Sequence, residues 1–134
     1  MGAVVLDTSV LIGFINPDDA HHHAAARALH AAGERGDQFV LPATVLSELL
    51  VRRICRQPAS ARTVQDELIE GFGPVRPVDE DVAYAAAELR AKHRSLRLPD
   101  ALVIATGIVD DGAVLTCDAR LKTVDPRVRV VESA

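Results

Sequence analysis

The chain has 134 residues, of which 49% are hydrophobic and 25% charged, a composition typical of globular proteins rather than disordered or fibrous chains. Nineteen acidic and fifteen basic residues give a net charge of −4, which excludes a simple electrostatic coat for DNA but not a nucleic-acid enzyme with a local basic face. We expect a single domain over residues 1–134 that needs neither disulfide nor metal to fold, so any metal would serve chemistry.

Cysteine usage and hydropathy indicate the compartment. The two cysteines, Cys55 and Cys117, are too few for a secreted disulfide scaffold, and we expect both to be buried thiols. No apolar run approaches the roughly 18 residues that span a bilayer, and the first residues lack the basic segment of a signal peptide. The sequence therefore predicts a cytoplasmic protein with no membrane partner.

Short apolar runs alternate with longer helical segments, which proline and glycine residues interrupt. In chain order the predicted elements are a strand at 3–6, a helix at 8–14, a helix at 20–32, a strand at 39–41, a helix at 42–56, a helix at about 60–71, a strand at 75–78, a helix at 79–94, a helix at 99–110, and strands at 114–116 and 128–131. Parallel neighbours need such crossover helices, so we predict a three-layer α/β fold with a parallel sheet covered on both faces.

Most acidic residues have a structural explanation. Helix starts explain Asp18, Asp19, Asp79, Glu80 and Asp81, and an exposed helix face explains Glu67 and Glu70. Asp7 and Asp118 differ, because each follows the carboxyl end of a predicted buried strand. Ligands bind at that edge of open α/β sheets, at the point where the strand order reverses. Either aspartate alone could equally be an ordinary turn residue.

Two further acids lie on predicted helices. Glu48 is flanked by Val45 and Val51, each about 60° away around the helix, so it should border a buried stripe. Alone, it is better explained by solvent exposure or a pair with Arg52. Asp100 precedes a segment that is apolar nearly all round and should be buried; alone, it is a first-turn acid that complements the helix dipole.

Together the four acids are more informative. The two strand-end aspartates meet only if the first and fourth strands are neighbours, as they are where the strand order reverses. The two helix acids must then lean over that edge. Four carboxylates in one cleft repel each other unless they take up protons or cations, and oxygen ligands select Mg²⁺ or Mn²⁺.

With these four acids in this order, the sequence resembles the PIN-domain ribonucleases of the VapC toxin type, from bacterial toxin–antitoxin pairs. The segments that carry the resemblance are 4–12, 47–49, 98–105 and 115–121, in the family's order along the whole chain. The resemblance implies a five-stranded parallel sheet, a homodimer and inhibition by a small cognate antitoxin. It also implies an acidic quartet of Asp7, Glu48, Asp100 and Asp118, with Asp7 and Asp100 as direct ligands of Mg²⁺, for which Mn²⁺ should substitute.

Hydroxyl side chains stand beside these acids in the sequence. Thr8, Ser9 and Thr116 could orient metal ligands or waters, although helix capping explains Thr8 or Ser9 equally well. Among the basic residues, Arg94 and Arg97 precede Asp100 and are candidates to contact the RNA backbone; exposed helix faces are the alternative.

The predicted reaction is hydrolysis of an RNA phosphodiester by a cation-activated water, without a side-chain nucleophile. Glu48 or Asp118 could take the proton from that water. The main alternative is a PIN-like module that binds RNA or an antitoxin without cutting. A dehalogenase-like phosphatase is disfavoured, because it needs a second aspartate where Ser9 stands. A receiver domain is disfavoured as well, because no lysine follows Val131.

Two smaller features allow more than one interpretation. Three consecutive histidines, 21–23, would point in different directions on a helix, so we do not expect a metal there. The first helix carries Val10, Leu11, Phe14 and Ile15, which offer an apolar surface for a partner, although packing on the sheet is the simpler expectation.

Overall fold

The computed structural model describes residues 2–132, which contain one five-stranded parallel sheet. The strands are β1 (Ala3–Leu6), β2 (Gln38–Pro42), β3 (Val75–Arg76), β4 (Ala113–Thr116) and β5 (Val128–Val130). Their order across the sheet is β3-β2-β1-β4-β5. The predicted adjacency of the first and fourth strands is confirmed, because Leu6 pairs with Leu115 in a parallel register.

Six α-helices connect the strands. They are α1 (Thr8–Ile15), α2 (His22–Glu34), α3 (Ala43–Arg56), α4 (Ala61–Phe72), α5 (Glu80–Lys92) and α6 (Leu98–Asp110). They pack in consecutive pairs, α1 on α2, α3 on α4 and α5 on α6. The sheet extends in opposite directions from β1, so right-handed crossovers place helices on both of its faces. This is the predicted three-layer α/β fold.

Several predicted boundaries are displaced for identifiable reasons. Helix α2 continues through Gly33 and ends before Gly36, whose φ of 75° favours glycine. The Asp19 carboxylate does not cap this helix, because it accepts a hydrogen bond from the His21 N–H in the preceding turn, at 2.8 Å. Strand β3 ends two residues early, since Pro77 has no N–H to extend the ladder.

The core lies between the sheet and its helices. Val5 of β1, Val114 of β4 and Ile104 of α6 are completely buried, as the apolar character of these segments predicted. Helix α6 approaches β4 closely at Gly107, where a Cβ atom would collide with the Val114 side chain. This close packing fixes the start of α6, which carries Asp100, relative to the end of the sheet.

Other burial predictions were wrong. Cys55 is exposed and Cys117 is only partly buried. Both Cys55 and Val51 lie on the solvent side of α3, where Val51 is 57% exposed, so the buried stripe of this helix is narrower than its apolar residues suggested.

The first helix divides its apolar residues between the core and the surface. Val10 and Leu11 are fully buried, while Phe14 and Ile15 remain 39% and 45% exposed. Packing on the sheet therefore explains the apolar character of Val10 and Leu11 but not that of Phe14 and Ile15. Across the described residues, no helix has the length and hydropathy to cross a bilayer.

Candidate active site

Asp7 lies where β1 and β4 end side by side. Its backbone N–H donates to the Leu115 carbonyl at 3.0 Å, which ties the residue to the neighbouring strand. Its carboxylate caps α1 by accepting from the Thr8 N–H at 2.9 Å. Capping by Thr8 or Ser9 is therefore excluded, because Asp7 itself is the capping residue. The side chain is held at the sheet edge with only 6% of the residue exposed.

Two hydroxyls complete the surroundings of the Asp7 carboxylate. Thr116 and Ser9 both donate to its Oδ2 oxygen, at 2.6 and 3.0 Å. Each hydroxyl also accepts a backbone N–H, from Asp118 and Cys117 respectively, so both are fully oriented. A hydroxyl has one proton to donate, and here both protons point at the same carboxylate. Asp7 is thus bound by neutral donors that fix its orientation without balancing its charge.

Glu48 reaches the same edge from α3. Its side chain is exposed, and its Oε1 oxygen accepts a hydrogen bond from the Thr8 hydroxyl at 2.8 Å. This contact links α3 to the first turn of α1, one residue after Asp7. The observed partner is therefore Thr8, not Arg52 as the sequence alternative proposed.

Asp100 stands in the first turn of α6, as predicted from Pro99. Burial raises the pKa of its carboxyl above the ordinary value, and the negative charge of Asp7 raises it further. The nearby Arg97 guanidinium partly offsets this rise in the pKa. The charges of Asp118 and Glu48 make smaller contributions that also raise the pKa. The other three predicted acids are therefore all within electrostatic reach of Asp100.

Asp118 follows β4 and forms an ion pair with Arg120. Arg120 donates to it through Nε at 3.0 Å and Nη2 at 2.8 Å, and the Arg120 backbone N–H adds a third bond at 3.0 Å. These bonds lower the pKa of the Asp118 carboxyl, although partial burial opposes them. Arg120 is two residues from Asp118 in the sequence, but this spacing alone does not indicate the two-point contact.

A cleft of about 250 Å³ opens beside the carboxylates. Asp100 and Asp118 contribute to its wall together with Arg97 and Arg120. Arg94, the other candidate for RNA contact, instead lines a surface between α5 and α6. The structure therefore brings only Arg97 of that predicted pair to the acids.

The donor chemistry of this edge fits a hard divalent cation. Carboxylate oxygens are the preferred ligands of Mg²⁺ and Mn²⁺, and burial together with the negative charge of Asp7 raises the pKa of the Asp100 carboxyl. Within residues 2–132, however, no three acidic, histidine or cysteine side chains converge closely enough to hold an ion as they stand. Asp118 faces Arg120 and Glu48 faces Thr8. Binding would thus require side-chain rearrangement at these two acids.

The histidine tract lies outside this arrangement. His22 bonds the Gly13 carbonyl through Nδ1 at 2.9 Å, and the His21 ring lies 3.6 Å from a carboxylate oxygen of Asp19. In the described part of the chain, residues 2–132, none of the three histidines belongs to a group of side chains that could hold a metal ion.

Comparisons with known proteins agree with this architecture. A chain in the crystal structure of VapBC2 from Rickettsia felis, bound to a promoter DNA fragment, superposes with a TM-score of 0.78 at 14% identity, covering 97% of this chain and 99% of that one. A toxin–antitoxin complex from Klebsiella pneumoniae gives 0.76 at 19% identity, with 98% and 99% coverage. VapC20 from Mycobacterium tuberculosis, described as a sarcin–ricin loop cleaving toxin, gives 0.64 at 21% identity, with 87% and 90% coverage.

At these identities the likeness to solved structures concerns the fold. No curated protein matches the sequence significantly. The sequence model of the PIN domain does match, over residues 4–126, which include every acid of the predicted quartet. The chain belongs to the PIN domain family.

Proposed function

We propose that this protein is a metal-dependent endoribonuclease toxin that hydrolyses RNA phosphodiester bonds and is neutralised by a cognate antitoxin in the cytoplasm. The observation that carries the proposal is the buried Asp7 carboxylate at the β1–β4 edge, oriented by neutral donors and close enough to Asp100 to raise the pKa of that carboxyl further than burial alone does. VapC20, a structural neighbour, is described as a sarcin–ricin loop cleaving toxin, which supports this reaction class.

In this proposal Asp7 and Asp100 bind Mg²⁺ directly, and Glu48 and Asp118 complete the site; Mn²⁺ substitutes for Mg²⁺. The cation supplies an activated water and neutralises charge that develops on the transferring phosphate. No side chain acts as a nucleophile.

The chain's own residues position these groups. Ser9 and Thr116 hold the Asp7 carboxylate in one orientation, and Thr8 holds Glu48. Glu48 or Asp118 accepts the proton from the attacking water. Arg97, at the N-terminus of α6, lies on the cleft where it can bind a phosphate oxygen of the RNA backbone.

The test is incubation of antitoxin-free protein with total bacterial RNA and Mg²⁺ or Mn²⁺, followed by sequencing of new 5′ ends. We expect discrete ends that disappear with a chelator and with Asp7→Asn, but persist with Glu67→Gln, which removes an exposed acid of α4. Equal cleavage by Asp7→Asn would contradict the assignment. Tight antitoxin binding without any cleavage would favour the non-catalytic module instead.

A surface groove supports the antitoxin partner. It measures about 450 Å³ and lies between α1, α3 and α4. Its apolar lining includes Ile12, Ile15, Leu49, Val64 and Leu68, and its basic lining is Arg52, Arg53 and Arg56. This combination suits an amphipathic segment that carries both apolar and acidic side chains. We assign the groove to the antitoxin, as the structural neighbours include toxin–antitoxin complexes.

The groove assignment has a direct test. Arg56→Glu should weaken binding of the antitoxin, because it reverses one charge on the groove wall. Arg62→Glu reverses an exposed charge on α4 outside the groove and serves as the control. Equal antitoxin affinity of the two variants would exclude this surface as the antitoxin site.

The proposal also includes a homodimer. Light scattering of the protein without antitoxin would measure its oligomeric state.

A further inference from the structure

The Arg120 side chain binds Asp118, one of the four acids that the proposed function assigns to the metal. Its guanidinium contacts both carboxylate oxygens of Asp118, at 3.0 Å to Oδ1 and 2.8 Å to Oδ2. Oδ1 also accepts the Arg120 backbone N–H at 3.0 Å. Such a two-point contact satisfies the lone pairs that face it and places a positive charge where a cation would bind. In this arrangement the Arg120 charge therefore opposes binding of a divalent cation to Asp118.

The ion pair between Arg120 and Asp118 contributes little to the stability of the fold, so the guanidinium can be displaced easily. The Arg120 side chain is 82% exposed, and an exposed ion pair is worth little free energy because water competes with it. The backbone N–H bond to Oδ1 does not depend on the side chain, so the turn after β4 survives loss of the guanidinium. Arg120 is thus a removable counter-charge on an otherwise fixed carboxylate.

We propose that Arg120 competes with the divalent cation for Asp118, so that the metal affinity of the free protein is lowered until the guanidinium is displaced. This inference rests on the proposed function, because it takes Asp118 as a metal ligand. The displaced guanidinium remains on the cleft that Arg97 also lines, where an RNA phosphate offers the same two-oxygen geometry as the carboxylate. Arg120 is a positioning residue that acts through Asp118.

Calorimetric titration of Mn²⁺ into metal-free protein, without RNA, tests the competition directly. We expect Arg120→Gln to bind Mn²⁺ about two- to fivefold more tightly than the wild type, the range that loss of an exposed ion pair allows. Lys122→Gln is the matched control, since it removes the same charge from an exposed side chain two residues away. Arg120→Gln affinity equal to or below that of Lys122→Gln would overturn the proposal.

Arg120→Lys separates charge from geometry. Lysine keeps the positive charge but lacks the planar fork, so its Mn²⁺ affinity should lie between those of the wild type and Arg120→Gln. A purely structural role would instead lower the unfolding temperature of both variants and leave Mn²⁺ affinity unchanged, which contradicts the proposal.

The titration is independent of the cleavage assay. Absence of RNA cleavage by the wild type would refute the proposed function, whatever the calorimetry shows. Cleavage by the wild type, together with no gain in Mn²⁺ affinity for Arg120→Gln, would refute only the competition. Absence of Mn²⁺ binding in every variant would also refute it, because removal of the guanidinium then fails to open a site.

Discussion

Two clusters of acids in this molecule differ in how their charge is balanced. At the end of β3, Arg76 donates two bonds to Asp110, at 2.9 and 3.0 Å, and one to Asp79, at 2.9 Å. The arginine side chain is 20% exposed, and one guanidinium satisfies both carboxylates. At the ends of β1 and β4, Asp7 receives bonds from hydroxyls and a backbone N–H instead.

The pKa directions show what this difference means. The pKa of Asp79 is lowered, first by the Val82 N–H that it caps and then by Arg76. The pKa of Asp100 is raised, first by burial and then by the charge of Asp7. Asp79, paired with Arg76, therefore stabilises the fold as an ionised group, whereas the Asp100 carboxyl, buried near a second acid, favours a proton or a metal ion.

The largest effect should separate the two clusters by activity. Asp100→Asn removes a proposed metal ligand and should lower RNA cleavage by more than about 100-fold, since loss of groups that merely support ligands already costs up to that much. Asp110→Asn removes an acid of the Arg76 cluster and should cleave at close to the wild-type rate. Cleavage rates on one RNA substrate, measured below the unfolding temperature of both variants, decide this.

The Arg76 cluster should respond in stability. Arg76→Met leaves two carboxylates without their cation and should lower the free energy of unfolding by about 1–2 kcal/mol, as expected for loss of partly buried charged hydrogen bonds. Urea unfolding measures this change. Arg62→Met, on the exposed face of α4, is the control, and an equal loss in both variants would show that the cluster contributes nothing specific.

A substitution among the acids of the candidate site should instead raise the free energy of unfolding. Asp100→Asn removes one of several repelling charges and should stabilise the metal-free protein by about 0.5–1 kcal/mol, a gain typical of relieved charge repulsion. Asp81→Asn is the matched control, because Asp81 is an exposed first-turn acid of α5 that favours its helix dipole. A loss of stability in Asp100→Asn as large as in Asp81→Asn would contradict the assigned repulsion.

The smallest effect concerns pH. Because the pKa of Asp79 is lower in the folded protein, its ionised form stabilises the fold above the unfolded-state pKa of about 3.9, and this stabilisation is lost as the pH falls through the folded-state pKa. Asp79→Asn keeps a capping oxygen but no charge for Arg76. The wild type should thus be more stable than Asp79→Asn at pH 7, and thermal unfolding should show the difference vanish in strong acid. A difference that persists there would show that the charge is irrelevant.

Much of the fold follows from local sequence. The run of β1 is apolar throughout and that of β4 is apolar up to its last residue, Thr116, so both predict buried strands whose following aspartates lie at a sheet edge. Helix α6 was equally clear, because its proline marks the first turn and its apolar residues surround the axis. The positions of Asp7 after β1 and of Asp100 in the first turn of α6 could therefore be predicted from the local sequence.

Burial on α3 was harder to predict, because the apolar residues of this helix exceed what its neighbours cover. Val51 and Cys55 look like core residues but remain exposed, while Glu48 was placed beside a buried stripe that does not extend to Val51. A hydropathy pattern shows which residues favour burial, and the packing partners determine which of them achieve it.

The sequence by itself determined the strands and their parallel direction, because these depend on short apolar runs joined by helical crossovers. The placement of all four acids at one edge stays a prediction, and it rests on the family resemblance as well as on the residues. Only the tertiary structure decided which donor meets which acid. The bond from Thr116 to Asp7 joins residues 109 positions apart, and Arg94 lines a surface between α5 and α6 although it is close to Asp100 in sequence. Side-chain direction depends on the packing of whole helices and strands, which a local pattern does not contain.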